Sequence, residues 1–128
     1  MHDQAIRAFA SGPASAAAAR RWSRGVTEGW GVPTTGDLVD LVVSELITNA
    51  VVHAGGLVQV ALDLDDDSIT VSVTDAGTGM VARRRRDTDA LGGRGLQIIE
   101  ALASAWGARS CPDRGKTVWA TVRLQSGG

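Results

Sequence analysis

Residues 57–75, LVQVALDLDDDSITVSVTD, alternate in a way that suits a sheet covered on one side only. In the first half Val58, Val60, Leu62 and Leu64 share a face. In the second half Ile69, Val71 and Val73 do the same. The other face carries Gln59, Asp63, Thr70, Ser72 and Thr74. Asp65, Asp66 and Asp67 join the two runs, so the stretch is predicted to be a tight antiparallel hairpin. Asp75 closes it with the parity of Ile69, Val71 and Val73, and so it points a carboxylate at the covered, apolar side. A carboxylate in that position needs a donor. A turn that simply begins with Asp is the alternative.

Helices must supply the cover. Upstream, Val39, Val42, Val43, Leu46 and Ala50 recur at helical spacing, which predicts a helix from Asp37 to His53 that stops at Gly55-Gly56. Before it, Pro13 suits a helix start, and the Ala-rich run that follows favours a helix up to the punctuating Gly31, Pro33 and Gly36. Gln4 to Phe9 fits a short edge strand. Downstream, residues 76–93 form a charged, Gly-rich loop, and a helix is expected from Arg94 to Trp106, ended by Gly107. Two strands follow, one around residues 108–111 and one at KTVWATVRL. The expected architecture is α+β: a two-layer sandwich with helices on one face of a mixed, largely antiparallel sheet, in a single domain over residues 1–128.

Composition sets outer bounds. Apolar residues make up 44% and charged residues 21% of the 128, and the formal net charge is −1. Neither a basic field nor interleaved aromatics draw the chain to nucleic acid. Nothing approaches the roughly 20 apolar residues of a membrane span. A single cysteine, Cys111, cannot close an intramolecular disulfide, which fits a cytoplasmic location.

Four polar or Gly-rich features interrupt this frame. Glu45, Asn49 and His53 lie four residues apart in SELITNAVVHA and share one strip of the predicted helix. That strip is either a solvated edge or one wall of a site. An Asn amide oxygen is a hard ligand suited to Mg²⁺, and a carboxylate one turn away could activate a nucleophile. In DAGTG, Gly77 and Gly79 follow Asp75 and allow a ligand close to the backbone. In LGGRGL, residues 91–96, glycines open a helix whose first N–H groups suit phosphate. The last strand begins GKT, with Lys116 and Thr117.

Taken in order, SELITNAVVHA, DAGTG, GGRGL and GKTVWA resemble the four motifs of the GHKL ATPase superfamily, and most closely the stand-alone anti-sigma-factor serine kinases. The resemblance covers Pro13 to Leu124 and implies a Bergerat-type ATP-binding fold with ATP and Mg²⁺ as ligands. It implies Asn49 as the Mg²⁺ ligand, Glu45 as the general base and Asp75 as the acceptor of the adenine amino group. Gly77 and Gly79 would lie against base and ribose, and Met80 would begin a lid that runs to Leu91. Gly93, Arg94, Gly95 and Leu96 would serve the phosphates, and Thr117 would support adenine beside Asp75. Its parity matches Trp119, Thr121 and Arg123, so that role requires a bulge or a site beyond the ladder. His53 is expected only to anchor the helix end. The arginines at 83–86 are either a solvated run or a source of one phosphate contact.

The resemblance further implies a serine/threonine protein kinase that acts on a small antagonist protein and binds a sigma factor, as a homodimer without nucleic acid or membrane. A nucleotide-binding interaction module without efficient transfer is the alternative. Arg20, Arg21 and Arg24 of the first helix, and Trp119 on the uncovered sheet face, are candidates for partner contacts.

Overall fold

The computed structural model describes residues 2–10, 12, 14–54, 57–75, 92–111 and 115–125, with side chains outside the description at 49–54, 92–96, 110, 111 and 115. Five strands form one sheet: β1 (Asp3–Ala10), β2 (Leu57–Leu64), β3 (Ser68–Asp75), β4 (Ala105–Cys111) and β5 (Gly115–Arg123). Their spatial order is β1-β2-β3-β5-β4, and every described pairing is antiparallel. Among the described residues three helices accompany the sheet, α1 (Ser15–Gly29), α2 (Pro33–Ala54) and α3 (Gly92–Leu102). The fold is an α+β two-layer sandwich. No helix among the described residues is long and apolar enough to cross a membrane.

The hairpin 57–75 folds as its alternation requires. Val58, Val60, Leu62, Leu64, Ile69, Val71 and Val73 are all buried, and the residues between them are half-buried or exposed. Asp65 N–H donates to Ser68 O at 2.8 Å and closes the turn. Val39, Val42, Val43, Leu46 and Ile47 of α2 meet this face and are 0–1% exposed. Each such side chain contributes about 1.5–3 kcal/mol over leaving it in water. The helices and the sheet hold each other because neither apolar face is covered without the other.

Three boundaries differ from expectation. Helix α2 begins at Pro33, not Asp37. Proline is well placed in a first turn, where its missing N–H is not needed. Gly36 is then helical rather than punctuation: a Cβ there would stand 3.0 Å from Thr27 Cβ and closer still to its Oγ1. Glycine is needed here because α1 and α2 nearly touch. The face of α1 that meets α2 is built of small residues, Ser15, Ala19, Ser23 and Thr27, all buried at four-residue spacing. Gly31, with φ +79°, makes the left-handed turn between the helices.

The third difference lies in α3. It ends at Leu102, and Trp106 and Gly107 belong to β4. Trp106 pairs with Ala120 and Gly107 with Trp119. A Cβ on Gly107 would come within 2.9 Å of the Trp119 ring. This glycine does not stop a helix; it lets an indole lie flat across the neighbouring strand.

Candidate functional site

Cross-strand rows on the helix-facing side lead to the site. One row reads Leu64–Ile69–Val122, the next Ala5–Leu62–Val71–Ala120–Trp106, and the next Arg7–Val60–Val73–Val118–Ala108. The following row reads Phe9–Val58–Asp75. The apolar pattern thus ends on a carboxylate at the C-terminus of β3. Asp75 is 7% exposed, beside a fully buried Val58. An acceptor with so little water around it is suited to a ligand that brings its own N–H donor.

Pairing of β3 with β5 runs without interruption from Ser68↔Arg123 to Thr74↔Thr117, so no bulge re-aims the start of β5. Thr117 is buried, and its Oγ1 lies 2.8 Å from Thr74 Oγ1. It therefore shares the face of Thr74, the side away from the helices. Strand alternation separates it from Asp75, and the expected placement of Thr117 beside Asp75 is not what the ladder builds. One further step of the same register sets Lys116 across from Asp75. Lys116 is half-buried and has the parity of Val118, Ala120 and Val122. No role was expected of Lys116 from the sequence. Its signal was the same alternation that made Thr117 awkward.

Helix α2 carries the polar strip. It spans Glu45, Asn49 and His53, and the Glu45 side chain is half-buried. The side chains of Asn49 and His53 lie outside the described residues, but their helical positions are fixed. Position 49 stands nine residues after position 40, a rotation of about 180°. Asp40 faces α1, where Arg24 Nη2 donates to its Oδ2. The strip at 45 and 49 is accordingly on the flank turned away from α1, and α2 also packs on α3.

Helix α3 begins at Gly92, so Gly93 and Arg94 lie in its first turn, with Gly95 and Leu96 after them. That turn contains no acidic residue. Its leftover N–H groups and positive dipole end suit an anion. Gly77, Gly79, Met80 and the arginines at 83–86 lie outside the described residues.

These placements fit a nucleotide. A buried acceptor ends β3, an uncontested helix N-terminus opens α3, and a strip with Glu45 and position 49 runs along α2. Among the described residues no group of three or more His, Cys, Asp or Glu gathers as a metal site. Mg²⁺ that accompanies a nucleotide needs no such cage, because water and phosphate oxygens fill most of its shell.

Away from this site, Arg24 bridges α1 and α2 through Asp40, and it lies 3.8 Å from Asp37 Oδ1. Burial pushes the Asp40 carboxyl above its ordinary range, against the opposing hydrogen bond and charge of Arg24. The Asp40 hydrogen bond and charge in turn raise the Arg24 guanidinium. Of the three arginines on α1, Arg24 is thus committed within the fold. Arg20 and Arg21 are exposed along the same helix.

Residues 9–122 match the model of the histidine kinase-like ATPase domain. The chain is also 34% identical over 110 residues, covering 73% of each chain, to a protein of Pasteuria penetrans named anti-sigma F factor.

Proposed function

The chain belongs to the family of histidine kinase-like ATPase domains, and from that membership we propose that it is a MgATP-binding regulator that phosphorylates a serine or threonine on a small antagonist protein. The observation that carries the nucleotide reading is Asp75, a buried carboxylate at the end of an otherwise apolar row. In this reading Asp75 accepts a hydrogen bond from the adenine amino group. Gly77 and Gly79 lie against base and ribose, and Met80 opens the lid. Asn49 holds Mg²⁺, and Gly93, Arg94, Gly95 and Leu96 serve the phosphates.

Glu45 tilts the reading towards transfer, since binding alone needs no base. Its carboxylate takes the proton of the attacking hydroxyl. A bond forms from that oxygen to the γ-phosphorus, and the bond to the bridging oxygen breaks, with its electron pair leaving on ADP. Mg²⁺, when bound, neutralises charge on the phosphates. The chain itself positions and deprotonates.

The relative's name supports a sigma factor as a second partner, which would place the protein in the cytoplasm. Arg20 and Arg21 are the exposed α1 arginines open to such a contact. A homodimer would use the uncovered sheet face, where Ile6, Ala61, Ser72 and Trp119 stand in one row and Ile6 is 52% exposed.

The test is a transfer assay. Antagonist and sigma-factor candidates are captured from the source cell with and without ATP and identified by mass spectrometry. The captured antagonist is then incubated with γ-labelled ATP. Label should pass to a hydroxyl of the antagonist. Glu45→Ala should abolish transfer, by roughly 10²-fold or more, and keep nucleotide binding. Binding without transfer in the parent would leave a nucleotide-controlled interaction module instead.

A further inference from the structure

We propose that Lys116, not Thr117, is the β5 residue that reads the nucleotide base beside Asp75. This rests on the nucleotide reading above and adds a specificity-determining residue to it. The β3–β5 register runs without interruption as far as Thr74↔Thr117. Thr74 and Thr117 face each other through their hydroxyls on the uncovered side. Carried one residue past its last pair, the same register sets Asp75 opposite Lys116, and alternation turns both towards the helices. Directly opposed antiparallel residues hold their Cβ atoms about 4.5–5.5 Å apart. The two side chains therefore rise side by side at the end of the apolar rows, one acceptor-only and the other donor-only.

An adenine edge presents the complementary pair, an amino donor on C6 beside the ring acceptor N1. Asp75 takes the amino hydrogen and Lys116 donates to N1. Lys116 is half-buried, so its four-carbon stem can lie along the apolar row with the charged head at the ligand.

The experiment is calorimetric titration of the full chain with MgATP and with the magnesium complex of 1-deaza-ATP, which lacks the ring acceptor. The parent should bind MgATP and prefer it roughly tenfold over the deaza analogue. Lys116→Met should weaken MgATP binding roughly tenfold and erase that preference, because the analogue has nothing left to lose. Thr117→Val should stay within about twofold of the parent for both ligands. The analogue arm on the parent does not depend on any variant folding. A parent that binds both ligands equally would overturn the Lys116 assignment and leave the nucleotide reading standing. A Thr117→Val loss larger than that of Lys116→Met would do the same. A parent that binds no adenine nucleotide at millimolar concentration would overturn both.

Discussion

Asp40 is a carboxylate that the fold buries between two helices, 5% exposed, with an exposed guanidinium bonded to one of its oxygens. Burial outweighs that partner, so its carboxyl titrates above the ordinary 3.8. The folded chain then holds this proton more tightly than the unfolded chain. Its contribution to stability is fully present below pH 3.8 and is lost as pH rises through the folded-state value. Asp40→Asn should therefore gain on the parent as pH rises above 3.8, read as the difference in urea unfolding free energy between pH 4 and 7. A pH-independent difference would contradict the sign. Arg24→Met should destabilise the chain at pH 7, because an uncompensated carboxylate remains, and the loss should shrink towards pH 4. At the nucleotide site the corresponding single-residue test is Asp75→Asn. It exchanges an acceptor for a group that can donate, so a strong ATP preference over GTP in the parent should fall towards equality in competitive binding. The inward parity of Asp75 was plain in the sequence, and the structure buries it as that parity requires. Lys116 was equally legible by alternation, but the motif drew attention to Thr117. A motif fixes residue types, whereas a ladder fixes faces.

Elements meet where glycine permits. Helix α1 approaches α2 through Ser15, Ala19, Ser23 and Thr27, and Gly36 answers them from α2. Gly36→Ala gains up to about 1 kcal/mol of helix propensity but forces a methyl into Thr27, a collision that typically costs about 1–3 kcal/mol. The net should be a destabilisation of about 1 kcal/mol in urea unfolding. Adding Thr27→Ala, which removes the nearest atom, should recover more than half of it. Full additivity of the two changes would place the contact elsewhere. Neither this seam nor the true end of α3 stood out from apolar periodicity. A small-residue face carries almost no hydrophobic signal. Trp106 matched the helical spacing of Leu102 as well as it matched a strand, and Gly107 looked like a helix stop. Only the partner strand decides, since Gly107 is there for Trp119. The hairpin 57–75, whose two-residue period has no helical counterpart, was read without error at both ends.

At the scale of the whole molecule, the α+β order of elements followed from the apolar periodicities, and the candidate site lies where the apolar alternation of β3 stops. The exit of β5 is then tied to that frame: Leu124 N–H donates to Asp67 O at 2.9 Å, and Gln125 N–H to Thr35 Oγ1 at 2.7 Å. The second bond joins the exit of β5 to the first turn of α2. The three elements of the proposed site, α2, β3 and α3, each pack on α2 or contain it. A nucleotide held across them would bind the folded chain and not the unfolded one. Its stabilisation is then set by mass action alone, about 2.7 kcal/mol at a free concentration 100 times the dissociation constant. For a domain of this size that is a rise in melting temperature of roughly 10 °C, read by calorimetry or near-ultraviolet ellipticity. MgATP should produce the shift, and the shift should grow with the logarithm of its concentration. Asn49→Ala should reduce it in the presence of Mg²⁺, and with EDTA parent and variant should converge. A shift of equal size in EDTA would remove Asn49 from the metal and leave Asp75 to carry the binding through the base.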